Sequence, residues 1–144
     1  MQVAKPKKGY KLVKTSFGKY EEIPEEWDYD DFKKIVFFQE GPGLRYWQFT
    51  DNGMKVINVT NLIDGKLDLT TTERCISLEE FNKTYSHFAI DANDIVIASS
   101  GNSYGKVAVV SEHNLPLMMN TSVIRLRPNN DERLDRKFLR YFLE

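Results

Sequence analysis

The sequence predicts an α+β domain with a twisted, mostly antiparallel sheet and a few short helices. Three observations favour this class: short β-branched and aromatic runs recur along the chain, turn-forming residues separate them, and two short stretches carry helical signals. With 144 residues, of which 41% are hydrophobic, the chain has the size of a single domain that buries a core.

The first part of the chain predicts an extended segment followed by a turn. Residues 10–20 are extended with a break at Gly18. Residues 23–27 form a turn, because Pro24 presets the backbone, and we expect the turn to bury Trp27.

The next residues give an ambiguous pattern and then a loop. Residues 28–38 fit either a short helix or a strand. Residues 40–48 predict a loop that exposes aromatic and cationic side chains, although we expect either Tyr46 or Trp47 to lie in the core.

The middle of the chain predicts a strand, a β-turn and a helix. Residues 54–59 alternate as in a strand, and residues 62–69 predict a β-turn with short flanks. Ser77 and Glu80 have the spacing of a capping box, which predicts a helix from Leu78 to about Ser86.

Residues 94–110 are the most informative segment, because two β-rich runs enclose a short loop of small, polar and basic residues. Serine, asparagine, tyrosine and lysine side chains stand in or beside a loop in which Gly101 and Gly105 allow positive φ or close approach to a ligand. The pattern therefore predicts a hairpin whose tip presents recognition chemistry.

The same loop imitates two enzyme motifs. It matches G-x-S-x-G around Ser103, but that nucleophile elbow needs a helix after the serine, whereas residues 106–110 are strand-like. It also resembles a phosphate-binding loop, but only three residues separate the glycines, and Val107 replaces the serine or threonine that binds magnesium. We therefore predict no catalytic residue, no metal site, no cofactor and no small-molecule substrate.

The end of the chain predicts a strand, a polar connection and a helix. Residues 117–127 form one strand that Pro128 ends, and residues 129–135 are polar. Residues 137–143 begin a helix with Phe138, Tyr141 and Phe142 on one side. Because this helix begins so near the last residue, the pattern suggests a truncated chain.

Charge is segregated although the net charge is only −1. Residues 1–20 carry six lysines and no acid, whereas residues 21–31 carry seven acids and no base. The basic arm, residues 1–9, fits either a solvated terminus or a segment that lies along phosphates through Lys7 and Lys8.

Composition also indicates in which cellular compartment the protein is expected. The chain lacks an apolar run long enough for a membrane span and lacks the apolar core of a signal peptide. With Cys75 as its only cysteine, it has no internal disulfide or thiolate zinc cluster. We expect a cytoplasmic protein with no membrane partner.

Three segments together resemble a known family. They are residues 18–27 with Ile-Pro-Glu-Glu-Trp, residues 94–110 with the Gly-x-x-x-Gly-Lys loop, and residues 119–128 with the closing residues 138–143. In this order they resemble a target recognition domain of a type I restriction-modification specificity subunit, over roughly residues 10–143.

The resemblance implies sequence-specific recognition of double-stranded DNA without catalysis. Domains of this kind each bind half of a bipartite target, and their subunits dock on modification (methyltransferase) subunits and a restriction subunit. It implies a target recognition domain at residues 10–136, followed by the start of a C-terminal helix at 137–144. From the residues given, we expect one recognition domain and neither of the long helical spacers.

Candidate DNA contacts follow from the chemistry of base edges, since arginine or lysine suits guanine and asparagine or glutamine suits adenine. The base-reading candidates are Arg45, Gln48, Asn102, Ser103 and Lys106, with Tyr104 beside them at the tip. Tyr46 and Trp47 are candidates to stack on bases or wedge between them. Lys7 and Lys8 are expected phosphate contacts, and Arg125 is expected to be either a phosphate contact or a salt-bridged surface residue. Two alternatives stay open, namely a small hydrolase or nuclease that uses Ser103, and a protein-interaction adaptor that uses residues 41–48.

Overall fold

The computed structural model describes residues 4–70 and 73–144. Their helices are α1 (Phe32–Ile35), α2 (Leu78–Glu80) and α3 (Arg136–Leu143). Their strands are β1 (Tyr10–Lys14), β2 (Tyr20–Pro24), β3 (Val36–Glu40), β4 (Phe49–Thr50), β5 (Met54–Ile57), β6 (Leu62–Ile63), β7 (Lys66–Leu67), β8 (Cys75–Ile76), β9 (Ile95–Ala98), β10 (Val107–Val109), β11 (Leu117–Met119) and β12 (Val123–Pro128).

The strands form two main sheets. Sheet I has the order β10-β9-β12-β3 and is antiparallel throughout, whereas sheet II has the order β11-β5-β8-β4 and contains the parallel pair β11 and β5. Two antiparallel ribbons, β1-β2 and β6-β7, complete the described part. The α+β class and the mostly antiparallel pairing are confirmed, but the strands divide between sheets instead of sharing one.

A turn at residues 120–122 causes this division. The backbone N–H of Thr121 donates to the Asn120 side chain at 2.9 Å, and Ser122 has a φ of 68°. Asparagine and serine favour such turns because their side chains bond nearby backbone groups. The prediction of one strand over residues 117–127 is therefore wrong, since β11 joins sheet II and β12 joins sheet I.

The core consists of layers that follow the two-residue period of the strands. Val96, Ala108, Ile57 and Met119 belong to the cluster between the two sheets. The other face of sheet I packs on Leu139 of α3, and the other face of sheet II packs on Phe81 after α2. Since neighbouring side chains alternate between faces, each main sheet is covered on both sides.

Several local predictions are confirmed. Asp64 and Gly65, both with positive φ, form the turn between β6 and β7. The Ser77 Oγ accepts a hydrogen bond from the Glu80 backbone N–H at 3.1 Å, as an N-cap does. The predicted helix that follows is irregular, because α2 continues as a π-helical turn over Phe81–Tyr85.

Both structures predicted for residues 28–38, a short helix and a strand, occur, because α1 leads directly into β3. The turn at residues 23–27 also forms, since the Trp27 N–H donates to the Pro24 carbonyl at 3.0 Å. Its predicted burial of Trp27 is wrong: the ring is 60% exposed, because the turn lies outside the three core clusters.

Aromatic residues of α3 also stay outside the core. Phe138, Tyr141 and Phe142 are exposed, and Leu139 is the buried residue of the helix. Among the described residues, no helix has the length and apolar character that crossing a membrane requires. Within the same residues, no group of three or more histidine, cysteine or acidic side chains is arranged to hold a metal ion.

Candidate nucleic-acid interface

Several loops leave the fold at one edge of sheet I, which we call the loop edge. Because β12 is antiparallel to both β9 and β3, the end of β9, the end of β3 and the start of β12 meet there. The N–H of Ser99 donates to the Ser122 carbonyl at 2.8 Å, and the N–H of Gly41 donates to the Val123 carbonyl at 3.0 Å. These bonds join three loops into one surface.

The tip of the β9-β10 hairpin is closed by hydrogen bonds within its own backbone. Gly101 and Gly105 adopt φ values of 71° and 81°, which only glycine adopts without strain. The N–H groups of Tyr104 and Lys106 donate to the carbonyls of Gly101 and Ser103 at 3.1 and 2.9 Å. The predicted hairpin is confirmed, and its tip has a defined backbone.

The side chains of the tip divide into an outer and an inner set. Asn102, Tyr104 and Lys106 are exposed. Ser103 is only 8% exposed, and its turn packs against the short 3₁₀ turn Val59–Asn61. The expectation that Ser103 contacts a nucleotide base is therefore corrected, because its side chain is buried where the tip joins the rest of the domain.

The backbone after Ser103 also bears on the hydrolase alternative. Tyr104 and Gly105 form a turn that leads into strand β10. A nucleophile elbow needs a helix at this point to expose the serine oxygen. The tip therefore lacks the geometry of that motif.

The loop after β3 contains a second exposed turn. Arg45, Tyr46 and Trp47 are all exposed, and the last two belong to the 3₁₀ turn Tyr46–Gln48. The expectation that one of the two aromatic rings lies in the core is wrong, because the core residues of this loop are its neighbours Leu44 and Phe49.

Gln48 is occupied within the fold. Its Oε1 accepts from the Arg45 N–H at 2.8 Å, while its Nε2 donates to Glu80 Oε1 and, at 3.1 Å, to Tyr85 Oη. The expectation that this amide binds adenine is therefore corrected, because both of its polar atoms hold the turn in place.

Arg125 lies in the interior rather than at a phosphate-binding surface. It is 5% exposed, its Nη1 is 3.2 Å from Asp94 Oδ2, and its Nε donates to Gln39 Oε1 at 3.0 Å. Its guanidinium also stacks 5.1 Å from the Phe37 ring centroid. The expected phosphate contact is corrected, since the charge is paired and stacked inside the domain.

The basic arm is partly neutralised by the acidic segment that follows it. The Lys7 Nζ of the arm is 3.5 Å from Glu22 Oε2. In β1, just after the arm, the Lys11 Nζ is 4.0 Å from Asp28 Oδ1. Lys8 is exposed. Lys5 and Lys8 sit on the arm outside any strand, whereas residues 1–3 lie outside the described residues.

The acidic segment is itself tied to the end of the domain. A hydrogen bond from the Asp31 backbone N–H, supported by the ion pair with Arg133, lowers the pKa of Asp30. The Asp30 carboxylate of the acidic segment is therefore paired within the fold.

The structure adds a turn that the sequence pattern did not single out. Thr121 is exposed on the turn of residues 120–122, and the buried Asn120 Nδ2 donates to Asn58 Oδ1 at 2.9 Å. The signal was the polar Asn-Thr-Ser interruption of an otherwise apolar run. The loop edge thus brings together the hairpin tip, this turn and the start of the loop that carries Arg45 and Tyr46.

The comparison with protein families covers most of the chain. The family described as type I restriction modification DNA specificity domain matches residues 24–144. The chain belongs to this family. The resemblance predicted from the three sequence segments is confirmed, and both main sheets lie within the matched part of this specificity domain.

A curated relative and two solved structures agree. The specificity subunit of the type I restriction enzyme MjaVIII from Methanocaldococcus jannaschii is 29% identical over 133 residues, which cover 89% of this chain and 31% of the relative. The HsdS subunit from Thermoanaerobacter tengcongensis superimposes with a TM-score of 0.58 at 16% identity, over 97% of this chain and 28% of that one.

The second structure comes from a study of complex assembly and conformational transition in a type I restriction-modification system. It superimposes with a TM-score of 0.57 at 15% identity, again over 97% of this chain and 28% of that one. At these identities the two likenesses show the fold of the specificity domain. The chain spans under a third of the length of each of these three relatives.

Proposed function

We propose that the chain recognises a specific sequence of double-stranded DNA and has no catalytic activity of its own. The observation that carries this proposal is the ordered hairpin tip, which presents Asn102, Tyr104 and Lys106 to solvent on a fixed backbone. Membership of the DNA specificity domain family supports it.

The chemistry of the tip suits base recognition. A lysine donates to the O6 and N7 acceptors of guanine, and an asparagine bonds the N6 and N7 positions of adenine. Lys106 and Asn102 supply these groups from one loop, and exposed Arg45 adds a second guanine-binding group on the neighbouring loop. Tyr46 and Tyr104 add aromatic contacts, while Lys7 and Lys8 contact phosphates.

The partners follow from the family. The chain binds half of a bipartite target as part of a specificity subunit, which docks on modification (methyltransferase) subunits and a restriction subunit in the cytoplasm. The named relative is such a specificity subunit, and one structural relative comes from a study of complex assembly.

A selection experiment tests the proposal. The chain is incubated with a pool of duplexes that have a randomised centre, and bound molecules are amplified and sequenced over several rounds. We expect one short motif to be enriched, and we expect binding to weaken steeply as salt rises, because phosphate contacts release counterions.

The control is the double variant Asn102→Ala with Lys106→Ala, which should still bind DNA weakly but enrich no motif. A wild-type pool that stays random would contradict the proposal. DNA cleavage or ester hydrolysis that Ser103→Ala abolishes would favour the enzyme alternative, whereas salt-independent binding of a protein partner alone would favour the adaptor.

A further inference from the structure

Two exposed aromatic rings stand side by side on the turn Tyr46–Gln48. Tyr46 is 84% exposed and Trp47 is 69% exposed. Their ring centroids are 5.3 Å apart, with an interplanar angle of 82° that corresponds to an edge-to-face contact. Unlike single exposed apolar residues, which are common on protein surfaces, these two rings touch and form one apolar patch, the kind of surface to which ligands bind.

The turn that carries the rings is fixed on both sides. Leu44 and Phe49 pack into the cluster on the outer face of sheet II, immediately before and after the exposed residues. Gln48 closes the turn through its bonds with the Arg45 N–H, Glu80 and Tyr85. A ligand therefore meets rings that are already in position, so that binding costs little conformational entropy.

The surroundings of the rings favour a nucleic acid as the ligand. The exposed guanidinium of Arg45 lies next to them in sequence and suits phosphate or guanine. The loop begins at Gly41, which packs against the backbone of Met119 and Asn120 at the loop edge. The loop that carries the rings therefore starts at the same loop edge from which the proposed base-reading tip leaves the fold.

We propose that Tyr46 and Trp47 form an aromatic wedge that contacts bases of the duplex at a partly unstacked step. This inference rests on the proposed function, because it requires that the chain binds duplex DNA. It adds a different mode of recognition. The wedge responds to how easily a base step opens, whereas the tip responds to the hydrogen-bonding groups of base edges. Gln48 is the positioning residue of the wedge.

Fluorescence gives a direct test, since the chain has two tryptophans and Trp27 is also exposed. In the Trp27→Phe protein, Trp47 is the remaining tryptophan, and its emission should be quenched as the selected duplex saturates the protein. Trp47→Ala should weaken binding on the order of 10-fold, as loss of a stacked base contact does. Trp47→Phe should lose less, and Trp27→Ala is the matched control that should keep wild-type affinity.

A mismatch series identifies the contacted step. Single mismatches are placed in turn along the selected duplex, because a mismatch lowers the cost of unstacking. Wild-type protein should bind more tightly when the mismatch lies at the wedge, and Trp47→Ala should show no such gain. Gln48→Ala should reduce the gain, because it removes the hydrogen bonds that hold the turn of the two rings in place.

The outcomes separate this inference from the proposed function. If wild-type protein selects a motif but Trp47 emission is unchanged and Trp47→Ala binds equally well, the wedge is wrong and the proposed function stands. If no motif is selected, both are wrong. If a methyltransferase subunit quenches Trp47 and duplex DNA does not, the rings form a protein contact, and the wedge is again wrong.

Discussion

Arg125 shows how one buried residue ties together neighbouring parts of sheet I. It comes from β12 in the middle of sheet I and pairs with Asp94, which is fully buried just before β9. Arg127 extends the pair, with its Nη1 3.7 Å from Asp94 Oδ1. A buried charge is tolerated only when it is paired and hydrogen-bonded, so these contacts hold each other in place.

Removing this arginine should destabilise the domain strongly. Arg125→Met removes the nearest cation from the buried Asp94 carboxylate, which keeps the Asp91 backbone N–H and the more distant Arg127. We expect the free energy of unfolding to fall by about 3 kcal/mol. Arg133→Met is the matched control, because Arg133 pairs with Asp30 near the surface, where solvent screens the charges, and its loss should cost much less than that of Arg125. Urea unfolding followed by circular dichroism measures both, and equal losses would contradict the buried-pair account.

The sequence predicts which side chains have suitable hydrogen-bonding groups better than it predicts whether those side chains point to solvent or into the fold. Lys106 and Asn102 are exposed as the loop pattern indicates, because lysine and asparagine side chains are mostly found at the protein surface. Gln48 and Ser103 have equally suitable side chains, but their partners come from residues distant in sequence, such as Glu80 and Val59–Asn61. Such tertiary contacts cannot be derived from local pattern.

At the scale of elements, the loop edge depends on one close approach of backbone to backbone. Gly41 follows β3 and lies against the turn that separates β11 from β12. A Cβ atom at Gly41 would be 2.1 Å from the Asn120 carbonyl oxygen and 2.6 Å from that of Met119. The chain can turn here only because glycine has no side chain.

A single methyl group should therefore disturb the edge. Gly41→Ala forces backbone to move, and we expect a loss of about 2 kcal/mol or more in the free energy of unfolding. Gly43→Ala, in the same loop, has nothing within 4 Å of the added Cβ and should be close to neutral. Chemical unfolding of both variants measures the difference, and a stable Gly41→Ala protein would show that the three loops are not packed together.

Elements within one run of sequence were predictable, but their pairing was not. The hairpin tip, the β6-β7 turn and the Ser77 cap each depend on residues a few positions apart, so local signals suffice. The separation of β11 from β12 depends on which sheet each strand joins, and that choice is made by distant partners such as β5 and β3. The polar turn of residues 120–122 was the only local sign that β11 and β12 are separate strands.

On the scale of the whole molecule, two packed sheets support the recognition loops at one edge. Sheets I and II pack on each other, while α3 and the helical segment after α2 cover their outer faces. The tip, the 120–122 turn and the loop of the aromatic wedge leave this scaffold together. Binding residues are often found on loops that a rigid scaffold positions, and the loop edge has this arrangement.

The central claim is that the hairpin tip distinguishes one DNA sequence from others, and a specificity ratio tests it most directly. Dissociation constants are measured for the selected duplex and for a scrambled duplex at the same salt concentration, with wild-type, Lys106→Ala and Lys137→Ala proteins. Lys137 is exposed on α3, so its variant removes the same charge away from the loop edge. We predict that Lys106→Ala costs about 1–3 kcal/mol on the selected duplex and much less on the scrambled one, whereas Lys137→Ala leaves the ratio unchanged. Equal losses on both duplexes for Lys106→Ala would contradict the account, because the lysine would then contact only phosphate.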